Sequence, residues 1–212
     1  MKKILCAAMM ALFLTAFAKT RAHSIMNSAP TGTLPDPMAI DSTGARQFWE
    51  ALKLHCGKAF EGTVVSGGGE DFKDKRLVMH LLSCSEDEIL IPFNVGDNRS
   101  RTWILKFKND RIELKHDHRH EDGSPDKISM YGGTTTNSGL PTMAVFPADQ
   151  QTLDLIPAAG TNVWWITIDG AKYTYNLRRI GSDRFFSVAF DLGSPIEIPA
   201  PSWGWEDYVV PR

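Results

Sequence analysis

Apolar side chains recur along the chain with two different periods, and the period changes near Gly57. Between Ser42 and Gly57 the apolar residues are spaced three or four positions apart, as on one face of an α-helix. These residues are Ala45, Phe48, Trp49, Leu52 and Cys56. Ser42 or Thr43 can cap the start of the helix, and Gly57 can end it in the left-handed conformation. The pattern therefore predicts one short N-terminal helix that buries a single face.

Beyond Gly57 apolar and polar residues alternate with a period near two, which is typical of half-buried strands. Ten segments follow this pattern: 60–66, 76–84, 88–95, 102–108, 111–120, 127–131, 142–146, 163–168, 172–180 and 184–192. Turn-forming pairs such as Asn109-Asp110 and Asp169-Gly170 separate them, at spacings that favour an all-β domain. We predict an all-β fold, a single antiparallel up-and-down β-barrel of about 8–10 strands with one short N-terminal helix.

The first residues of the chain have the composition of a secretory leader. Two lysines precede an apolar run over residues 4–17, and the triplet Ala16-Phe17-Ala18 resembles a cleavage site. These features predict a bacterial-type signal peptide over residues 1–18 and a secreted or periplasmic protein. The run is shorter than the roughly 20 residues that a membrane-spanning helix needs, so no membrane span is predicted.

Composition divides the rest of the chain into three parts. Residues 19–40 are rich in Ser, Thr, Pro and Gly, and they are predicted to form a flexible N-terminal arm. The β-barrel domain is predicted over residues 41–193. Residues 194–212 form a Pro- and Trp-rich tail, which we expect to pack on the barrel because exposed aromatic side chains are unfavourable in water.

Cysteine content and charge narrow the classes of partner. Removal of the leader leaves Cys56 and Cys84, which in an oxidising compartment predict one disulfide. Two separate buried thiols are the alternative. The formal charge of -2 is spread over interspersed acidic and basic residues. Because a nucleic-acid-binding surface needs a concentrated basic patch, no nucleic-acid partner is predicted.

Counting along the first long hairpin places three histidines on the same face as apolar residues. With Asn109-Asp110 as a two-residue turn, Lys108 lies opposite Arg111 and the later pairs follow outward. Since side chains alternate across a strand, ten residues share the inward face. They are Phe107, Leu105, Trp103, Arg101 and Arg99 on one strand, and Ile112, Leu114, His116, His118 and His120 on the other. The opposite face, which includes Thr102, Lys115 and Asp117, is expected to lie in solvent.

The hairpin around Asp169-Gly170 gives a similar inward face by the same counting. Trp164 is predicted to lie opposite Tyr175, and Ile166 opposite Tyr173. Aromatic residues dominate this face, which predicts an aromatic-lined interior.

Three alternatives remain for His116, His118 and His120. Imidazoles at alternate strand positions can converge on a metal ion such as zinc, whereas Arg99 and Arg101 on the same face oppose a divalent cation. Histidine together with arginine suits a carboxylate, phosphate or sulfate group instead. In the third alternative the cluster only stabilises a loop through its acidic neighbours.

The order of a short helix, antiparallel strands and an aromatic-lined interior over residues 43–192 resembles the calycin superfamily, which includes lipocalins and fatty-acid-binding proteins. In the first strand, lipocalins usually carry the motif Gly-x-Trp, whereas this chain has Phe60-Glu61-Gly62-Thr63 at that position. The segments "LKLHCGKAFEG" and "LKHDHRHEDG" also resemble an uncharacterised group of bacterial exported proteins.

These observations predict an exported protein that binds a small amphipathic or anionic ligand, with an apolar floor for the tail and a polar mouth for the head. The residues assigned to ligand binding are Arg99, Arg101, Trp103, His116, His118, His120, Trp164 and Tyr175. The alternatives are a metal-dependent enzyme that uses the three histidines, and a protein-interaction or inhibitory module with a fully packed barrel. No catalytic residue is assigned, since the chain lacks a nucleophile motif such as Gly-x-Ser-x-Gly. No cofactor is assigned beyond the metal of the first alternative.

Overall fold

A computed structural model of the chain describes residues 42–209. The predicted signal peptide (1–18) and N-terminal arm (19–40) lie outside the described residues. The helices are α1 (Gly44–Lys53) and α2 (Gln150–Leu155). The strands are β1 (Ala59–Ser66), β2 (Leu77–His80), β3 (Ser83–Cys84), β4 (Glu88–Val95), β5 (Asn98–Lys108), β6 (Arg111–His118), β7 (Tyr131–Thr134), β8 (Met143–Pro147), β9 (Asn162–Asp169), β10 (Lys172–Arg179) and β11 (Phe185–Ile196). Among these residues, no helix is long and apolar enough to cross a membrane.

The strands form one antiparallel sheet that curls into a nearly closed up-and-down barrel, which confirms the predicted fold class. The order in the sheet is β7-β6-β5-β4-β2-β1-β11-β10-β9-β8. The first and last strands, β1 and β11, pair with each other and join the two halves of the sheet. β3 continues β2 along β4 after an interruption at Leu81 and Leu82. The wall therefore has ten strand positions.

The β5–β6 hairpin has the predicted register. Asn109 (φ 51°) and Asp110 (φ 54°) both adopt the left-handed conformation that a type I′ turn requires. The observed pairs are Lys108–Arg111, Phe107–Ile112, Leu105–Leu114, Trp103–His116 and Arg101–His118. All of these pairs except Lys108–Arg111 therefore lie on the inward face, as the count predicted.

The register predicted for the β9–β10 hairpin is wrong by one pair. The turn residues are Gly170 and Ala171, and the observed pairs are Asp169–Lys172, Ile168–Tyr173, Ile166–Tyr175 and Trp164–Leu177. Of the two turn residues, Gly170 has the positive φ (57°), as at the first position of a type II′ turn, whereas the prediction placed this glycine second. The inward face is unchanged because each partner moves by two residues.

The strand predicted at residues 127–131 is displaced, since β7 begins at Tyr131. Met130, just before it, has a φ of 61°. In β7 a Cβ atom on Gly132 would overlap the carbonyl oxygen of Leu114, and one on Gly133 would overlap that of Pro147. Only glycine permits such a close approach of backbones, so this strand has no alternating pattern to reveal it.

The barrel wall is bridged between β7 and β8 by α2, a helix that the sequence pattern did not predict. Asp149 caps this helix by accepting a hydrogen bond from the backbone N–H of Thr152. The fully buried Thr152 hydroxyl donates to the Gly132 carbonyl (2.8 Å) and accepts from the Gly132 N–H (2.7 Å). The Asp149 N–H also donates to the Gly132 carbonyl (3.0 Å). α2 thus connects the two strands at the ends of the sheet order.

The apolar face of α1 fills one end of the barrel. Its buried residues are Ala45, Phe48, Trp49 and Leu52, as predicted. The Trp49 ring lies 5.5 Å from the ring of Phe107, which faces inward near the end of β5. Cys56, just after the helix, forms the predicted disulfide with Cys84, and the two Cα atoms are 6.0 Å apart. The covalent bond therefore holds the end of α1 against the wall.

Part of the outer face of β5 and β6 is covered, so the expectation that it faces solvent is wrong there, whereas Lys106 and Lys108 on the same face are exposed. Thr102, Lys115 and Asp117 are 2%, 7% and 4% exposed. The Lys115 ammonium donates to the Asp149 carboxylate (2.6 Å) beside α2. Asp117 accepts a hydrogen bond from the indole N–H of Trp205 (3.1 Å) in the C-terminal segment. Alternation along a strand does not reveal such a second layer.

Candidate functional site

A cavity of about 600 Å³ opens at the end of the barrel opposite α1. Its wall is formed where β5, β9 and β11 begin and where β6 and β10 end. The segment after β1, which contains Gly68, Gly69 and Phe72, borders the opening. We call this hollow the inner cavity.

Aromatic rings form most of the apolar lining of the inner cavity. They belong to Phe72, Phe93, Trp103, Tyr131, Trp164, Tyr175, Phe185 and Phe186. Phe93, Trp103 and Tyr175 form one stack, with centroids 4.7 and 4.3 Å apart and interplanar angles of 20° and 12°. Phe72 lies 4.7 Å from Phe186 and 6.3 Å from Phe93, and it extends the stack toward the opening. Such near-parallel rings stabilise one another, which makes this wall a rigid surface.

His116 is buried in the floor of the inner cavity and uses both ring nitrogens. Nδ1 lies 2.9 Å from the carbonyl oxygen of Tyr131, and Nε2 lies 2.6 Å from the hydroxyl oxygen of Tyr175. Because a carbonyl can only accept, Nδ1 carries the proton and Nε2 accepts from the Tyr175 hydroxyl. Burial lowers the pKa of His116 to about 3, and the hydrogen bond to Tyr131 only partly opposes this shift. The imidazole is therefore neutral at physiological pH.

His118 lies one pair nearer the opening and contacts the hydroxyl of Tyr131, with Nε2 3.1 Å from that oxygen. Burial lowers the pKa of His118 to about 4, and the charge of Arg101 is the second cause of this shift. Burial also raises the pKa of Tyr131 to about 12. The two side chains therefore form an uncharged, hydrogen-bonded pair at neutral pH.

Positive charge in the inner cavity comes from Arg101, Arg179 and Arg184. Arg101 and Arg179 each donate to an asparagine side chain at 2.9 Å. In the part of the chain that the structure describes, none of the three guanidinium groups forms an ion pair with a carboxylate. Asp71, near the opening, carries a negative charge in the lining. The lining therefore has excess positive charge.

Six of the eight residues that the sequence assigned to ligand binding line the inner cavity: Arg101, Trp103, His116, His118, Trp164 and Tyr175. Arg99 and His120 lie outside it. β6 ends at His118, and His120 is exposed at the start of a turn that the Gly123 N–H closes by donating to its carbonyl. Arg99 donates to the carbonyl of Pro201 (2.6 Å) in the C-terminal segment. The chain therefore leaves the barrel one pair before the count predicted.

The three histidines do not converge on a common point. His116 engages both ring nitrogens in hydrogen bonds, and His120 lies in the exposed turn. Within residues 42–209, no group of three or more His, Cys, Asp or Glu side chains has the geometry to hold a metal ion. The structure therefore offers the metal-dependent alternative no ligand set in this range.

The lining residues that the sequence did not assign to the site include three aromatic residues, Phe72, Phe93 and Tyr131, and two arginines, Arg179 and Arg184. Arg179 and Arg184 flank the turn between β10 and β11, where basic residues are ordinary. Phe72 comes shortly after three successive glycines with positive φ values, Gly67, Gly68 and Gly69. No short-range signal joins these residues, because barrel closure brings them together.

Other hollows of about 500 to 600 Å³ lie on the outside of the barrel. One is formed by the turn after β6 and by residues 204–208. The inner cavity differs from these hollows because it combines buried aromatic rings with buried ionisable groups of strongly shifted pKa. That combination is the usual mark of a binding site.

Comparisons of the chain with protein-family models, with curated proteins and with solved structures find no match. The candidate function therefore rests on the geometry and charge of the inner cavity.

Proposed function

We propose that this protein is an exported binding protein that holds a small anionic ligand in the inner cavity. The observation that carries the proposal is the position of Arg101, which has no carboxylate partner among the described residues and lies beside a wall of stacked aromatic rings. Guanidinium groups offer paired donors that match carboxylate, phosphate or sulfate oxygens.

Charge at neutral pH supports an anion rather than a cation. His116 and His118 are neutral because burial lowers their pKa to about 3 and about 4. The charged groups of the lining are then three arginines and Asp71. Since a partly buried charge is screened less than an exposed one, Arg101 is well placed to attract an anion into the barrel.

Two further features support the exported, ligand-binding part of the proposal. The Cys56–Cys84 disulfide is of a kind that persists in oxidising compartments, and residues 1–18 have the composition of a signal peptide. The up-and-down barrel also resembles the architecture of lipocalins and fatty-acid-binding proteins.

Titration of the full chain with anilinonaphthalene sulfonate, an anionic fluorophore, tests the proposal. We expect saturable binding that quenches Trp103 and Trp164, because both indoles line the cavity. Replacing Arg101 with Gln should raise the dissociation constant by about 10- to 100-fold, since a hydrogen bond to a charged group contributes about 1.5–3 kcal/mol.

The matched control is Arg99→Gln, which removes the same charge two residues away on the same strand but outside the cavity. This variant should bind the fluorophore with unchanged affinity. Equal weakening by the two substitutions would show that the probe responds to overall charge, and the proposal would then fail.

A further inference from the structure

We propose that the ligand is a flat aromatic anion, an aryl carboxylate or sulfonate, rather than an anion with a long aliphatic chain. The inference rests on the proposed function, because it names the chemical class that the same cavity selects. It replaces the sequence-based expectation of an apolar floor that holds a ligand tail.

The part of the barrel that could hold an aliphatic tail is already filled. Leu105, Ile112 and Leu114, the aliphatic residues of the β5–β6 inward face, are fully buried, and they do not line the inner cavity. Phe48 and Trp49 of α1 are likewise fully buried in the same core. The level of Trp103 and His116 is therefore the floor of the cavity, and a long chain has no channel below it.

Flat rings form most of the apolar border of the remaining space, beside four aliphatic residues, Ile128, Ile156, Ala159 and Leu177. Phe72 and Phe186 lie on the side of the opening, 4.7 Å apart, and Phe93, Trp103 and Tyr175 continue toward the floor. Aromatic rings favour offset-stacked or edge-to-face contact with other rings. A rigid planar ligand makes these contacts with little loss of its own conformational freedom, whereas a flexible chain must be ordered on binding.

The charged groups lie close to the rings. The guanidinium carbon of Arg101 is 5.9 Å from the centroid of the Phe72 ring. The charges of Arg101 and Arg184 both act on the hydroxyls of Tyr131 and Tyr175, where they lower the pKa against the effect of burial. Arg101 and Arg184 line the same cavity as these two tyrosines. An anionic group bound there lies next to the aromatic wall, which suits an acid attached directly to a ring.

Isothermal titration calorimetry of the full chain with 2-naphthoate and with undecanoate tests whether the cavity selects an aromatic or an aliphatic anion. The two carboxylates have the same number of carbon atoms, so they differ in shape and rigidity and not in charge. We expect 2-naphthoate to bind at least about tenfold more tightly, because it stacks and loses less conformational freedom. Equal or tighter binding of undecanoate would overturn the inference and leave the proposed function standing. Failure of both acids to bind would overturn both.

Phe72→Leu is the variant that separates stacking from apolar contact. Phe72 lies at the opening, is partly exposed and packs against the edge of the core, so a leucine, which keeps an apolar side chain at this position, should preserve the fold. We expect the affinity for 2-naphthoate to fall about fivefold, because a flat partner is lost, while that for undecanoate stays within about twofold. The matched control is Leu140→Ala, at an exposed site away from the cavity, which should change neither affinity. Equal changes for both acids in Phe72→Leu would contradict the role of the ring.

Discussion

At the scale of single residues, burial decides what the histidines of the β5–β6 hairpin do. Histidine in water titrates near neutral pH and so suggests an acid–base or pH-sensing role. His116 is 3% exposed, and its two hydrogen bonds fix the neutral tautomer. His118 is held neutral by burial and by the charge of Arg101, which lower its pKa to about 4. In the proposed binding of an anion, the positive charge of the lining at neutral pH therefore comes from arginine and not from histidine.

Replacing His116 with Asn should reduce the loss of stability in mild acid. Folding lowers the pKa of His116 to about 3, so the unfolded chain takes up the proton first as pH falls. The contribution of His116 to stability is then fully present above about pH 6.5 and is lost progressively as pH falls toward about 3. Each such histidine contributes a slope of about 1.4 kcal/mol per pH unit to the free energy of unfolding. Urea unfolding between about pH 7 and pH 4 measures this slope.

The control for this prediction is His120→Asn, since His120 lies exposed outside the cavity. This variant should keep the slope of the parent protein. If the free energy of unfolding of His116→Asn depended on pH as steeply as that of the parent protein, the lowered pKa assigned to His116 would be wrong.

At the scale of elements, α2 compensates for a weak point in the barrel wall. β7 is short and contains two glycines, and β8 is the strand at the other end of the sheet order. The buried Thr152 hydroxyl satisfies both backbone groups of Gly132. A short helix with one buried side chain therefore supplies hydrogen bonds where strand pairing does not.

Replacing Thr152 with Val should destabilise the protein by about 2 kcal/mol. The substitution keeps the shape of the side chain but leaves the buried N–H of Gly132 without its partner, and an unsatisfied buried group costs about 1–3 kcal/mol. Thr152→Ser, which retains the hydroxyl, should recover most of this loss. Denaturant unfolding gives the values.

Thr63→Val is the matched control, because Thr63 is exposed on β1. Its effect should stay within about 0.5 kcal/mol. If the two valine variants were equally stable, the bridging role of Thr152 would be wrong.

At the scale of the whole molecule, the two ends of the barrel have different roles. α1 and the disulfide close one end, and the inner cavity opens at the other. The segment after β11 lies against the outer face of β4, β5 and β6. There the Ala200 carbonyl accepts from the Asn94 side chain, the backbone N–H of Trp203 donates to the Arg99 carbonyl, and the Trp205 indole donates to Asp117. One end is therefore filled and cross-linked, and the other contains the proposed binding site.

Breaking the disulfide should lower stability without removing the fold. Cys56 and Cys84 are 28 residues apart, and closing a loop of this length contributes about 3–4 kcal/mol on the chain-entropy model. Unfolding with and without reductant measures the difference, and the double variant Cys56→Ala/Cys84→Ala should be insensitive to reductant. Mass spectrometry after alkylation without reductant should find both thiols protected. Two alkylated cysteines would contradict the bond.

The number of cysteines and the expected oxidising compartment were enough to predict the disulfide. Local patterns in the sequence were enough to predict the barrel class, the helix α1 and the inward face of β5 and β6. These features depend on periods of two and 3.6 and on turn chemistry near Asn109-Asp110, all of which act over a few residues. In the β9–β10 hairpin the prediction placed Gly170 second in the turn instead of first. The predicted register of that hairpin was therefore wrong by one pair, although the residues predicted to face inward were correct. β7 contains two adjacent glycines and shows no alternation of apolar and polar residues, so the sequence did not predict the position of this strand.

The sequence by itself therefore determined which side chains point inward, because alternation is a property of each strand. The tertiary structure alone decided how far the inward face extends as a cavity. α1 fills the end of the barrel opposite the inner cavity. The chain turns away from the barrel at His120, and Arg99 bonds to the C-terminal segment, so neither residue lines the cavity. Closure of the wall adds Arg179 and Arg184 to the lining. These contacts join residues far apart in the chain, and no local pattern specifies them. Their burial is also what keeps His116 and His118 neutral, since a pKa depends on the surroundings that the complete fold creates.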